Sequence, residues 1–492
     1  MGTFIKINPF NLKLLAWKMT VKTYIDTVSI LRNALESGRG VKYKRLASAL
    51  EQCILDGSLA AGSKLIPQRI LAYKLNVTVG TVSRAYAELE RMGLVVPRVG
   101  DGTFVRRHGL ERKRDEGYRN VAEPPAFCDM SRNLHIPGAE TSLLAQSLMN
   151  LAQDASTLGE LMIYTPEVGL PRFRAAGAKW LSSHGFRAHP EQVLCTNGSQ
   201  HALLCTLMAL LRPGDTLVTE PLTYPGLISA ARLLGIRLLA ATMDDDGLLP
   251  HSLDELCRLH RVTALYCTPT LQNPTTSILP TERRQAIVTI CREHNLLIIE
   301  DETHAVLLED RPAPLSHFAP ERSILIGGMS KAVAAGLRVG YLHAPVAMVS
   351  RLGAALRGSC WMATPLPLEL ATRWIDDGTA LNLLQQQAAE IARRKALVTQ
   401  LLEGLNYRTH SRSPHFWIQV PEPWRASDVE SDLAAKHYRI ATAESFAVGH
   451  AAVPQFVRVS ICDGAMDDSQ LCLGFQALSV ALDSDTASTE RS

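Results

Sequence analysis

Apolar residues recur every four positions between Tyr43 and Leu55. Leu46, Leu50 and Ile54 share one face there, which predicts a helix ended by Gly57. After the turn at Gly62, Pro67 can open a second helix with Leu71, Ala72 and Leu75 as its buried stripe. Thr78 offers an N-cap for a third helix, whose inner face is Val82, Ala85, Tyr86 and Leu89 and which Gly93 closes. Leu94 to Pro97 and Thr103 to Arg106 read as short strands around a Gly100-Asp101-Gly102 turn. Three helices followed by a hairpin predict a winged helix-turn-helix.

The pattern changes further along. Gln192 to Cys195, Thr216 to Thr219, Ile236 to Ala240, Ala264 to Cys267, Leu296 to Ile299 and Ser323 to Ile326 are short apolar runs. Helical segments such as Gly198 to Leu211 and Thr281 to His294 lie between several of them. Buried strands alternating with helices predict an α/β domain with a mixed, mostly parallel sheet covered on both faces. A small C-terminal α+β part follows, with a helix at Ala388 to Leu402 stopped by Gly404 and strands at Phe416 to Val420 and Phe456 to Ser460. The expected division is an extension at 1–39, the winged helix-turn-helix at 40–107, a linker at 108–127, the α/β domain at 128–485 and a tail at 486–492. Within the α/β domain the large part spans about 150–370 and the small part about 381–482. The linker reading rests on few apolar residues and many Arg, Lys and Glu. The extension is mildly basic and apolar, and translation beginning at Met19 or later would remove much of it.

Charge sharpens this division. Of the 51 Lys plus Arg, 20 fall at or before Arg114, against 8 of the 48 Asp plus Glu, so this stretch carries +12 and the remainder −9. The N-terminal part therefore attracts a polyanion, and double-stranded DNA is the expected partner. Arg69, Thr78, Thr81, Ser83 and Arg84 are the groove-side candidates, with Arg98, Gly100 and Gly102 at the wing. The ten cysteines form no CxxC pair or framework spacing, which points to free thiols in a reducing compartment and to no metal site. No run of about 20 apolar residues can span a bilayer. The expected location is the cytoplasm, at the nucleoid when bound to DNA, with no membrane partner.

Candidate chemistry lies at the strand ends. Thr196-Asn197-Gly198-Ser199-Gln200 joins a strand to a helix, where unpaired backbone N–H groups can receive a phosphate. Asp301 lies just past one strand, where a carboxylate can pair with a protonated ring nitrogen. Lys331 lies just past the next, in Ile326-Gly327-Gly328-Met329-Ser330-Lys331, and an enclosed lysine can lose its proton and condense with an aldehyde. Arg338, seven residues on, is a natural phosphate partner.

Leu65-Ile66-Pro67-Gln68-Arg69, Asn76-Val77-Thr78, Thr81 to Tyr86 and Gly100 to Val105, together with most of the chain from Asn133 to Asp463, resemble the MocR subgroup of GntR transcription factors. In that family a winged helix-turn-helix is fused to a fold-type I aminotransferase-like domain. The resemblance implies pyridoxal 5'-phosphate as cofactor, a small amine or amino acid as effector, and a homodimer.

By the same resemblance, Gly198, Ser199 and Gln200 match the phosphate cup, and Tyr224 the ring stacked on the cofactor. Asn273 matches the partner of the phenolic oxygen, Asp301 that of the ring nitrogen, and Lys331 the residue that bonds the cofactor; Ser330 adjoins it. Arg338 matches the phosphate-binding arginine, and Arg458 the arginine that grips a carboxylate. Tyr164 matches the tyrosine that reaches the partner subunit's phosphate.

Three departures stand out. His304 replaces a tyrosine near the phenolic oxygen, Gly328 replaces a Ser or Thr near the phosphate, and the apolar Val79 replaces a basic groove contact. The resemblance implies a regulator. Two alternatives are a working aminotransferase with an appended DNA reader, and a DNA-binding homodimer whose second domain is an inactive scaffold.

Overall fold

The computed structural model describes residues 27–36, 41–55, 58–59, 62–91, 94–98, 102–105, 128–183, 185–422, 424–449, 453–463 and 466–483. The expected linker, the tail, Gly93, Gly100 and most of the N-terminal extension lie outside them. The chain divides into two compact units, 1–116 and 117–492. Among the described residues no helix is long and apolar enough to cross a membrane.

In the first unit, α1 (Lys42–Leu55), α2 (Gln68–Leu75) and α3 (Val79–Arg91) precede a hairpin of β1 (Val95–Arg98) and β2 (Gly102–Val105). The predicted stripes form one core, with Leu46, Leu50, Leu71, Val82, Ala85 and Leu89 all nearly inaccessible. Burying each leucine contributes roughly 1.5–3 kcal/mol. Asn76 takes the left-handed conformation that ends α2. Thr78 caps α3, its hydroxyl accepting from the Thr81 N–H at 3.2 Å. Tyr86 donates to the Ile66 carbonyl at 2.6 Å and fixes α3 to the turn before α2. The hairpin register pairs Arg98 with Gly102. Gly102 has φ +112°, and a Cβ there would meet Lys64 Cε at 2.8 Å, so the turn calls for glycine.

The second unit is built on a seven-stranded sheet. In chain order its strands are β3 (Val193–Thr196), β4 (Thr216–Thr219), β5 (Arg237–Ala240), β6 (Ala264–Cys267), β7 (Leu297–Asp301), β8 (Ser323–Gly328) and β9 (Gly340–His343). Their spatial order is β3-β9-β8-β7-β6-β4-β5. All neighbours pair in parallel except β9, which runs antiparallel to both β8 and β3. The sequence pattern missed β9, because Gly340-Tyr341-Leu342-His343 has no uninterrupted apolar run. It also ended β7 two residues early, since Glu300 and Asp301 are buried carboxylates that look like loop residues. Helix α4 (Ser199–Leu210) follows β3, and α5 (Thr281–Glu293) precedes β7.

The small part has the sheet order β10-β11-β13-β12, from β10 (Tyr407–Arg408), β11 (His415–Gln419), β12 (Ala441–Thr442) and β13 (Phe456–Ser460). Two helices cover it, α6 (Thr379–Thr399) and α7 (Asp468–Leu482), through Ile391, Val398, Phe475 and Leu478. Helix α6 starts nine residues before the predicted point. Its early apolar residues Ala380 and Leu383 pack against the large part instead, which breaks the single-stripe pattern.

Candidate functional site

The antiparallel strand β9 brings the separate strand-end residues together. In register, Gly328 of β8 lies opposite Gly340, and Gly340 lies opposite Thr196 of β3. A Cβ on Gly340 would sit 2.5 Å from the Gly198 carbonyl carbon, so the backbones meet where no side chain fits. Gly198 has φ +87° and precedes the first turn of α4, whose N–H groups have no acceptor within the helix. Arg338, exposed and in the left-handed conformation, lays its guanidinium on that turn: a Cβ on Gly198 would lie 2.5 Å from Nη2, which also donates to the Asn197 carbonyl at 3.4 Å.

The absent hydroxyl at Gly328 has a structural counterpart. A Cβ on Gly328 would fall 2.5 Å from Ser199 Oγ, so the Ser199 hydroxyl fills the space a serine or threonine would use. Gln200 donates from Nε2 to the Gly226 carbonyl at 3.2 Å, its buried Oε1 has no partner among the described residues, and Tyr224 lies beside it across Gly226.

Asp301 is the last residue of β7 rather than the first beyond it. Both carboxylate oxygens are held, Oδ2 by the Tyr266 hydroxyl at 2.9 Å and Oδ1 by the Thr303 N–H at 3.0 Å. Tyr266 comes from β6, where it pairs in register with Ile299. Its phenol is pushed well above the usual range by burial and then by Asp301, so it stays a donor.

Lys331 is half-buried, and its Nζ donates to the Asn133 carbonyl. Burial, followed by the positive charge of Arg458, lowers its pKa to about 8, while Asp301 acts weakly in the opposite sense. The amine stays mostly protonated at neutral pH, with a neutral fraction of about a tenth, far above that of a free lysine.

Arg458 of β13 is fully inaccessible. Its Nη1 donates to Asn273 Oδ1 at 2.7 Å, its Nη2 donates to the Ser131 carbonyl, and the guanidinium carbon lies 4.8 Å from the centre of the Phe446 ring. His304 is buried, and its Nε2 has no hydrogen-bond partner among the described residues. Burial, then Lys331 and Arg458, depresses its pKa to about 3, so the ring is neutral.

Lys331, Asp301, His304, Asn273 and Arg458 thus form one connected environment. Ser330 is buried beside Lys331. Tyr164 stands on the surface, 77% exposed, with its ring tilted against that of Trp361 at 5.6 Å between centroids.

Two family models match the chain: that of bacterial regulatory proteins of the gntR family over residues 42–105, and that of class I and II aminotransferases over residues 135–473. The HTH-type transcriptional regulator YdeF of Bacillus subtilis is 31% identical over 421 residues, covering 85% of this chain and 90% of its own. This chain belongs to the MocR group of GntR-type regulators.

Like other members, this MocR-type regulator joins a helix-turn-helix region to an aminotransferase-like sensor domain. The pyridoxine biosynthesis regulator PdxR of Corynebacterium glutamicum is 31% identical over 323 residues, 64% of this chain and 68% of its own. The sensor domain has the fold of LysN, an α-aminoadipate aminotransferase from Thermus thermophilus that was solved with N-(5'-phosphopyridoxyl)-L-leucine. The TM-score is 0.66 at 23% identity, covering 77% of this chain and 98% of LysN.

In the N-terminal unit, Arg69, Thr78, Ser83 and Arg84 are exposed and Thr81 is half-buried. The Thr78 and Thr81 hydroxyls bond each other at 2.9 Å, so they serve the helix start as well as the surface. Arg98 is described only as a strand residue. Val79 is 45% exposed at the first position of α3.

Sequence reasoning missed Ser131, Tyr266, Phe446 and His415. Tyr266 had a partial signal, a lone hydroxyl in an apolar strand, but its approach to Asp301 depends on the β6–β7 register. Ser131 acts through its backbone, which no residue type reveals.

Proposed function

We propose that the sensor domain holds pyridoxal 5'-phosphate on Lys331 and responds to a small amine, an amino acid or the cofactor itself. When bound, that group supplies an aldehyde that condenses with amines and a ring that withdraws electrons from them. The residues present fit it. The crevice at Gly198, Ser199 and Gln200, with Arg338 across it, suits a phosphate. Asp301, oriented by Tyr266 and Thr303, suits a protonated ring nitrogen. Asn273 is positioned by Arg458 for the phenolic oxygen, with the unpartnered His304 Nε2 as a second polar group, and Tyr224 suits the ring face.

The observation that carries this reading is Lys331. Its amine is held by Asn133 within electrostatic reach of both Asp301 and Arg458, with a pKa of about 8. An effector amine would compete with Lys331 for the aldehyde, and Arg458 would take the effector's carboxylate in a bidentate pair. The name of the related PdxR supports including the cofactor among the effectors tested.

The domain division at 40–107 and 128–485, a cytoplasmic location and the DNA contacts at Arg69, Thr78, Thr81, Ser83, Arg84, Arg98, Gly100 and Gly102 are parts of the same proposal. So is a homodimer in which Tyr164 completes the partner's site. Its supporting observation is an exposed apolar surface of Met162, Ile163, Tyr164 and Trp361.

The test is an absorbance titration of the purified protein with pyridoxal 5'-phosphate, then with amino acids and diamines, beside a DNA-binding assay on its own upstream region. The expected result is a visible band that an effector alters together with DNA affinity. No band, or DNA affinity indifferent to cofactor and amines, overturns the reading. A second reading, slow transamination, is favoured by the neutral fraction of Lys331, which can remove a proton once released. Formation of a 2-oxo acid from an added amino acid would support it.

A further inference from the structure

His415, the first residue of β11, is 1% exposed and touches two other stretches of chain. Its Nδ1 lies 2.8 Å from Asn133 Nδ2, and its Nε2 lies 2.9 Å from the Pro274 carbonyl. A carbonyl only accepts, so Nε2 carries the proton. Nδ1 of the neutral ring is then the acceptor for the Asn133 amide. Burial, then the charge of Arg458, holds the ring's pKa well below the usual histidine range, so this tautomer persists across working pH.

Each partner is one step from the candidate site. The Asn133 carbonyl accepts from Lys331 Nζ. Pro274 follows Asn273, whose Oδ1 accepts from Arg458. In the small sheet His415 lies opposite Ser460, and Trp417 lies opposite Arg458. One imidazole therefore joins the segment that holds the lysine, the loop that bears Asn273 and the strand beside the arginine.

We propose that His415 is a positioning residue that sets the Lys331 amine through Asn133 and the Asn273 side chain through Pro274. The inference rests on the cofactor reading of Lys331. Without the ring, Asn133 Nδ2 and the Pro274 carbonyl would be buried with no partner. Glutamine offers one acceptor and N–H donors, so it can supply a polar partner here that leucine cannot.

The test compares full-length wild type with His415→Leu, His415→Gln and Leu478→Ala, the last a core change in α7 that serves as a control for lost packing. Two readouts are taken: the affinity for pyridoxal 5'-phosphate with the pH midpoint of its visible band, and the pH midpoint of Lys331 acetylation in cofactor-free protein, read by mass spectrometry. We expect His415→Leu to weaken cofactor binding about tenfold and to move both midpoints, with His415→Gln close to wild type. Leu478→Ala should lower the melting temperature and move neither midpoint.

A folded His415→Leu protein with wild-type affinity and unmoved midpoints overturns the proposal, as does a glutamine variant that behaves like the leucine one. Should the leucine variant not fold, Asn133→Ala removes the same bond from the other side, and unmoved midpoints there overturn it equally. A shifted acetylation midpoint in protein that shows no visible band would uphold the positioning role while sinking the cofactor reading. A band with unmoved midpoints would do the reverse.

Discussion

The two units present their candidate residues in opposite ways. On the N-terminal unit Arg69, Thr78, Ser83 and Arg84 stand exposed on short elements, and an incoming duplex would have to organise them. In the C-terminal unit Asp301, Asn273, His304 and Arg458 are buried, and Asp301, Asn273 and Arg458 already hydrogen-bond within the chain. A polyanion read by a surface needs charge and reach, and screening by salt tunes it. A small ring held by a crevice needs groups fixed beforehand, because each loose polar atom there costs desolvation that binding must offset. Substitutions should therefore be graded and additive in the first unit, and severe and coupled in the second.

The largest expected effect tests that contrast directly. Lys331→Ala should abolish the visible band on adding pyridoxal 5'-phosphate while leaving DNA affinity without cofactor intact; a band that persists would remove the preorganised amine from the comparison. Next, Arg458→Leu deletes a buried guanidinium and leaves Asn273 Oδ1 and the Ser131 carbonyl unpaired. Truncating one partner of such a pair costs about 2–5 kcal/mol, so effector affinity should fall by more than tenfold, measured by calorimetry with carboxylate-bearing and carboxylate-free amines. Only the carboxylate-bearing series should lose the full amount.

A pH experiment sharpens the same point. With its pKa lowered from 10.5 to about 8, Lys331 binds fewer protons in the folded than in the unfolded chain between those values. Its contribution to stability should therefore rise with pH across that window and be absent below it. Lys331→Met in cofactor-free protein should flatten that part of the urea-derived stability curve; an unchanged slope would mean the amine is not held as described.

The smallest effects belong to the surface unit. Thr78→Ala removes the α3 cap and should cost about 1 kcal/mol, seen as a lower melting temperature with little change in salt dependence. Arg84→Ala should leave melting unchanged and lower the salt slope of DNA binding by about 1. An Arg84 variant as damaging as Arg458→Leu would erase the distinction between the units.

How much was legible follows from the same physics. Helices α1 to α3 could be read because a one-sided stripe such as Leu46, Leu50 and Ile54 is a local consequence of burying one face. Lys331, Asp301 and Arg338 could be noticed because charged residues at the ends of apolar strands are conspicuous. Strand β9 and the last residues of β7 could not, since Gly340 and Glu300 are chosen by neighbours distant in sequence: Gly198 packs on the first, and the Leu315 and Ser316 N–H groups bond the second. His415 was hidden for the same reason, as was the contact of Tyr266 with Asp301.

The sequence alone determined the order of the two units, their opposite charges, the helical stripes, most strands and the residue types for amine chemistry, because periodicity and charge are properties of neighbouring residues. Only the tertiary structure decided that Ser199 takes the space left at Gly328, that the Asn133 carbonyl accepts from the lysine while its side chain meets His415, and that Arg458 is fully buried and bonded to the Ser131 carbonyl. Those contacts join residues 100 or more positions apart, about 130 for Ser199 and Gly328 and more than 300 for Ser131 and Arg458. Their partners are chosen by how the sheet and the small part pack, which no local pattern encodes.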